Sequence, residues 1–356
     1  MQTLMQIPVQ KTSHSRLSQT DFKNLEFGKY IADHMFTATW NHGTWENSGI
    51  EPYAPISVSP AALGLHYGQT VFEGMKAYRM QNGDISIFRL ERHSQRFNKS
   101  LERMSMAPVP LELFKESLLT LISLDSEWVP REEGSSLYIR PFCFASEERL
   151  GMKVSDEYKF MIINSPVGPY YAKPLKVKVE KHFVRAAEGG TGYAKCGGNY
   201  GGAFYPAAQA KKEGFDQIIW THACGHETIE EAGTMNMMFV LDGKLITPPT
   251  SSSVLDGITR DSLLTLAGRL GIPQEVRPVT VSEIQDGLEN GKLQEAFGAG
   301  TAAVVAPISH ISIDDTLYEI SGSQENAISL NLKKALTDIR TGKAEDFAGW
   351  NTILKA

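Results

Sequence analysis

Apolar and polar positions alternate with a period of two in Ile85-Ser86-Ile87-Phe88, in Ser136-Leu137-Tyr138-Ile139 and briefly in Ser57-Val58, and each run reads as a strand. The period then lengthens. Residues 90–106 place Leu90, Phe97, Leu101 and Met104 at helical spacing, and residues 111–124 repeat the pattern with Leu113, Phe114, Leu118 and Leu121. The first half of the chain is therefore mixed α and β. A dense run of Pro and Gly from Pro166 to Pro174 interrupts the pattern, and a β-rich stretch, Lys176-Val177-Lys178-Val179, follows it. Residues 203–213 read as a helix, while Gln217–Trp220 and Met237–Leu241 read as buried strands. Asp242-Gly243 is a hairpin turn into Lys244-Leu245-Ile246. A helix over 260–270 carries Leu263, Leu264, Ala267 and Leu270 on one face and stops at Gly271; Ile328, Leu332, Leu336 and Ile339 stripe the last helix.

At 356 residues the chain is long enough for two cores. The punctuation places a flexible leader at 1–20, a smaller N-terminal α/β domain at 21–167, a linker at 168–176 and a larger C-terminal domain at 177–356. Net charge is −6 with mixed signs, which argues against nucleic acid and against a polybasic membrane anchor and leaves small molecules as the expected partners. No run approaches the roughly 20 apolar residues of a bilayer span, so a cytoplasmic location is expected. Three widely spaced cysteines, Cys143, Cys196 and Cys224, read as reduced thiols. His222 and His226 have no third ligand nearby, so no metal site is expected.

The chemistry concentrates in Gly192-Tyr193-Ala194-Lys195-Cys196-Gly197-Gly198-Asn199-Tyr200-Gly201-Gly202. A lysine framed by glycines lets a flat ligand approach, and a desolvated amine forms an imine with a carbonyl. Pyridoxal 5'-phosphate is the expected carbonyl; it wants a carboxylate on its ring nitrogen, for which Glu231 is a candidate. Gly257-Ile258-Thr259 precedes a helix and suits a phosphate, though Thr259 is equally a plain N-cap. Phe297-Gly298-Ala299-Gly300-Thr301-Ala302-Ala303 reads as a small-residue loop with amides for an oxyanion, or as a turn. Arg89, Arg92, Arg96 and Arg103 recur at helical spacing, by default a solvated basic face. Tyr138 and Arg140 share a strand face, where a buried guanidinium needs a substrate carboxylate or a fixed acid. Tyr67 and Phe72 read as pocket wall or core.

Taken in order, FGKYIADHM, LHYGQTVFEGMKAY, LYIRP, YAKCGGNYGG, EEAGTMN, LDGITRD and FGAGTAAVV resemble the branched-chain amino-acid aminotransferases among the fold-type IV pyridoxal phosphate enzymes, over residues 27–350. The resemblance implies a two-domain mixed α/β (α+β) fold with the D-amino acid aminotransferase-like architecture and a homodimer. It implies a ping-pong exchange of the amino group between leucine, isoleucine or valine and 2-oxoglutarate. By the same resemblance Lys195 is the imine-forming lysine and proton carrier, Glu231 the partner of the ring nitrogen and Tyr200 that of the phenolic oxygen. Arg96, Ile258, Thr259 and Thr301 bind the phosphate, with Thr234 near the ring. Phe27, Tyr67, Phe72 and Tyr138 form the substrate wall, Arg140 and the Tyr67 hydroxyl meet a distal carboxylate, and the Thr301 and Ala302 amides meet the α-carboxylate. Ala303 and Ala306 stand where mammalian members carry a redox Cys pair, and Asp256 replaces a common proline. The rivals are another fold-type IV activity, such as a D-amino acid aminotransferase or aminodeoxychorismate lyase, and a non-catalytic cofactor-binding scaffold.

Overall fold

The computed structural model describes residues 7–171, 173–320 and 327–355. Two compact units divide the chain between Tyr170 and Tyr171, but the first unit also takes Ala194–Gly198 and Ile339–Ala356. The division falls inside the expected 168–176 linker, while those two later segments cross the linear partition.

In the first unit an antiparallel sheet runs, in spatial order, through Asn351–Leu354, Ile85–Phe88, Met75–Arg79, Ser136–Ala145, Tyr158–Val167, His34–Asn41 and Thr44–Pro52, with Thr70–Phe72 paired to Ser136–Ala145 off that path. Two helices, Leu90–Arg103 and Leu111–Leu124, cover it, as their spacing predicts. Phe97, Phe114 and Phe160 meet at ring distances of 5.6–6.1 Å, joining both helices to the sheet in one core. The C-terminal strand closes the edge because Thr352 and Leu354 lie opposite Ile87 and Ile85. Ser57-Val58, read as a strand, is irregular; two residues are too few to hold a ladder. Of the flexible leader expected at 1–20, residues 1–6 lie outside the described residues and 7–20 are tied down. Thr12 N–H donates to His34 Nε2 at 2.9 Å, Arg16 N–H to Asp33 Oδ1 at 2.8 Å, and Val9 bridges Ile50.

The second unit holds the other sheet, in the order Ile229–Ala232, Gln217–Thr221, Leu175–Val179, Val304–Ile313, Leu293–Gly300, Met235–Leu241, Lys244–Thr247 and Gln274–Val276, with Thr316–Glu319 beside Val304–Ile313. Ile229–Ala232 also pairs with Met235–Leu241, so six strands close on themselves around a separate apolar core. Phe297–Gly300, read as loop, is strand; Gly298 is needed because a Cβ there would lie 2.6 Å from the Met235 methyl. The helix read from residue 260 begins at Ile258 and ends before Gly271 at φ +69°. Among the described residues no helix is long and apolar enough to cross a membrane.

Trp350 is buried beside Phe88 at 5.6 Å and Phe347 at 5.4 Å, with the Arg89 guanidinium 5.4 Å from its ring. Trp350→Ala is expected to cost about 3 kcal/mol of stability in urea denaturation; a change under about 0.5 kcal/mol would show that the C-terminal segment is not part of the first unit's core.

Candidate active site

Lys195 is joined to the first unit's sheet beside a single β-bridge. Cys196 bridges Val71, Phe72 N–H donates to the Lys195 carbonyl at 3.0 Å, and Lys195 N–H donates to Ser100 Oγ at 2.9 Å. Ala194 and Cys196 are buried in the core, while Lys195 between them is only partly buried. Its Nζ lies 4.8 Å from the Phe72 ring centroid, and the Arg140 guanidinium carbon lies 4.7 Å from the same centroid. One aromatic ring therefore carries both cations. Arg140 Nη2 donates to the Tyr138 hydroxyl at 2.9 Å, as their shared strand face predicts. Arg140 Nε is buried without a hydrogen-bond partner, and among the described residues no carboxylate pairs with this guanidinium. The fixed Asp or Glu that the sequence allowed is not there. Tyr138 sits where Gly74 leaves room, since a Cβ on Gly74 would overlap its hydroxyl. Phe27 packs its edge on Tyr138 and on Tyr170, each at 4.9 Å. Tyr67 is exposed, and its hydroxyl donates to the Leu150 carbonyl rather than to the Arg140 pair.

Arg96 does not belong to a solvated face. It is buried, with Nε on Glu73 Oε1 at 2.7 Å and Nη2 on Glu73 Oε2 at 2.8 Å; His93 Nδ1 donates to the same Oε2 at 2.8 Å. Neither Glu73 nor His93 stands out in the sequence, although His93 lies one helical turn before Arg96 and Glu73 sits between Phe72 and Gly74. Burial pushes the Glu73 carboxyl up, but the Arg96 charge and the bonds from Arg96 and His93 hold it well below the carboxylate range. Burial is also the largest influence on His93, drawing it down to about 4 against the pull of Glu73; Arg96 and Lys195 add to the lowering. His93 is thus a neutral donor to an ionised acid.

In the second unit Gly233-Thr234 turns the hairpin, with Gly233 at φ +56°, and sets Glu231 opposite Asn236. Glu231 is buried; its Oε1 accepts from Leu255 N–H at 2.8 Å and Asn236 Nδ2 at 3.3 Å, and its Oε2 faces Arg185 Nε at 3.0 Å. Arg185 and Asn236 were not singled out by sequence reasoning, though Asn236 follows from counting back across the turn. The neighbouring Glu230 occupies a β-bulge, takes the Ser253 hydroxyl on one oxygen and leaves the other buried without a partner. Thr234 is exposed in the turn and Tyr200 is half-buried. Ile258 and Thr259 are the first two residues of a helix whose N-cap is Gly257 and has no side-chain cap, so the plain N-cap reading of Thr259 does not hold. Their amides lack intrahelical acceptors at a positive helix end. Thr301 and Ala302 lie in the turn between Leu293–Gly300 and Val304–Ile313. Val304 closes it at φ +62°, a left-handed conformation that costs a β-branched residue roughly 1–3 kcal/mol.

Each of these groups suits one part of a phosphorylated pyridine aldehyde: an amine for the carbonyl, a buried anchored carboxylate for the ring nitrogen, and an uncapped helix start for the phosphate. The family model for amino-transferase class IV matches residues 70–311, and the chain belongs to this family. It is 42% identical over 335 residues to branched-chain-amino-acid transaminase 1 of Bacillus subtilis, covering 93% of this chain and 94% of the relative. The branched-chain aminotransferase of Thermoproteus uzoniensis, solved with norvaline, aligns at a TM-score of 0.74 with 26% identity, covering 89% of this chain and 99% of that one. A T.th. branched-chain amino acid aminotransferase solved with pyridoxamine 5'-phosphate gives a TM-score of 0.74 and 27% identity, covering 88% of this chain and 97% of that one. The fold is that of the fold-type IV aminotransferases.

His93 and Glu73 both bind protons more weakly in the fold than in the open chain, whose ordinary values are 6.5 and 4.5. The unfolded state therefore takes up more protons as pH falls, and the stability His93 contributes is complete above 6.5 and lost toward about 4, with Glu73 extending the loss below 4.5. Urea stability is expected to fall through that window by up to roughly 1.4 kcal/mol per pH unit for one proton. His93→Gln, which keeps a donor but does not titrate, should flatten the slope above pH 4.5; an unchanged slope would place the charge change elsewhere.

Proposed function

We propose that this chain is a pyridoxal phosphate-dependent branched-chain amino-acid aminotransferase, exchanging an amino group between leucine, isoleucine or valine and 2-oxoglutarate. The observation that carries this reading is the Phe72 ring flanked by the Lys195 amine and by Arg140, whose Nε is buried without a partner. The names of the curated and solved relatives support the substrate class.

The cofactor, when bound, supplies a protonated ring that delocalises the electron pair released at the substrate α-carbon. The Lys195 amine would hold its aldehyde and, as a free amine, would move the proton at the substrate α-carbon. Glu231 holds the ring-nitrogen proton; its bonds from Leu255 and Asn236 keep it in place. The Ile258 and Thr259 amides, Thr301 and Arg96 serve the phosphate, and the Glu73 carboxylate fixes the Arg96 guanidinium plane with two bonds. Tyr200 serves the phenolic oxygen and Thr234 stands near the ring.

Arg140 explains how a site for aliphatic side chains also accepts glutamate. Its unpartnered Nε and its position over Phe72 offer a charged donor to a distal carboxylate, while the faces of Phe27, Phe72, Tyr67 and Tyr138 pack a branched alkyl group. Apolar packing supplies about 2–3 kcal/mol for a leucine-sized group, so discrimination among leucine, isoleucine and valine is weak. The Thr301 and Ala302 amides receive the α-carboxylate. A cytoplasmic homodimer is proposed with it; exposed Leu65, Leu150 and Met152 on the first unit support a second copy covering them.

The purified protein is expected to show a visible absorption band that L-leucine bleaches and 2-oxoglutarate restores. Lys195→Ala should abolish turnover. Arg140→Ala should lower kcat/KM for glutamate by roughly ten- to a hundredfold, and for leucine only a few-fold. A band indifferent to leucine sinks the substrate assignment, and equal losses for both substrates sink the dual use of Arg140.

A further inference from the structure

The Glu231 carboxylate and the segment leading into the Ile258–Arg269 helix are joined by a backbone hydrogen bond and by one side chain. Glu231 and Asn236 are directly opposed in the hairpin, so both side chains leave the same face of the sheet. Asn236 Nδ2 directs its two hydrogens to the Leu255 carbonyl at 2.9 Å and to Glu231 Oε1 at 3.3 Å, while Leu255 N–H donates to that same Oε1 at 2.8 Å. The other end of the amide, Asn236 Oδ1, packs on Gly257, where a Cβ would overlap it. Gly257 is the N-cap of the helix. A buried carboxamide thus touches the acid, the chain two residues before the cap, and the cap itself.

From this geometry we propose that Asn236 is a positioning residue that locks the acid serving the ring nitrogen to the helix start serving the phosphate, so that the two ends of the cofactor are held as one unit. The proposal rests on the functional reading above. Asparagine is the side chain that does this: both its hydrogens face acceptors, and its oxygen faces a glycine. Aspartate has the same shape but turns an oxygen toward two oxygens already present. Serine is too short to span them. Arg185 holds the opposite oxygen of Glu231 and makes no described bond to Leu255 or Gly257; beside the direct bond from Leu255 N–H to Glu231, Asn236 is the side chain that reaches both the Leu255 carbonyl and Gly257.

If the two ends are locked, the phosphate group should contribute less to binding once Asn236 is changed, and the light absorption of the bound ring should change with it. The test compares the affinity of cofactor-free protein for pyridoxal 5'-phosphate and for pyridoxal, which lacks the phosphate, and records the absorption maximum of each complex. In Asn236→Ser the affinity advantage of the phosphorylated form is expected to shrink by about tenfold, the effect of one lost buried hydrogen bond, and the maximum to shift. Asn236→Asp, equal in volume, carries the test if the serine variant melts too low to hold its fold, and should show the same loss. Thr301→Ala, which removes a hydroxyl assigned to the phosphate and lies outside the Asn236 contacts, should weaken phosphate binding without moving the maximum. Equal weakening of both ligands in the Asn236 variants, with the maximum unmoved, overturns the lock alone. Wild-type protein that takes up neither ligand overturns the functional reading and the lock with it.

Discussion

A single backbone hydrogen bond, from Phe72 N–H to the Lys195 carbonyl, fixes most of what this molecule can do. It adds a five-residue piece of chain to an edge of the first unit's sheet, although the sequence on either side of that piece belongs to the second unit. Ala194 and Cys196 go into the core, and Lys195 between them stays only partly buried. Because Phe72 is the residue that makes the bond, its ring is placed by the same contact that places the lysine. Arg140 and Tyr138 arrive on a strand of the same sheet. The amine, the aromatic face and the guanidinium are thus positioned by one sheet, with no need for a flexible loop to bring them together.

Two charged groups of the first unit, Glu73 and Arg140, are held in contrasting ways. Glu73 is matched completely: Arg96 meets it with a two-point contact and His93 donates a third bond as a neutral ring. Such an arrangement offsets the desolvation of both ions by geometry and bonding, and it gives a rigid plane that is sensitive to acid. Arg140 is treated differently. It has a phenol and an aromatic face but no acid, and one of its nitrogens is buried with nothing to accept from it. A fold does not gain stability that way. The second unit repeats the distinction with its two adjacent glutamates, one braced from both sides and the other with a buried oxygen left over.

Much of the architecture was readable from residue order, for identifiable reasons. Helices such as Leu111–Leu124 and strands such as Ile85–Phe88 announce themselves because one face is apolar at the matching period. The Tyr138–Arg140 pairing follows from a spacing of two on a strand. What escaped notice is non-local. Nothing near Arg96 indicates that it is buried on Glu73, since its partner lies 23 residues upstream on another element. Periodicity even pointed the wrong way, because four arginines on one helix look like a solvated stripe. Thr259 was open between cap and phosphate ligand until the helix start was located at Ile258, and the hydroxyl of Tyr67 turned to Leu150, a partner 83 residues distant. The paired position of Asn236 was within reach, since it follows from the turn alone.

The edge strand Asn351–Leu354 has a consequence for the way the protein is made. Its partner, Ile85–Phe88, leaves the ribosome about 260 residues earlier, which at about 5–20 residues per second is roughly ten to fifty seconds. Through that interval the growing chain carries a sheet whose outer strand has unpaired amides and carbonyls, the kind of template that recruits another chain. The lysine segment is also delivered late, after the whole of the first sheet's core has been synthesised. Fast translation of the second unit shortens the exposure of that edge, and the Asn351–Leu354 strand ends it.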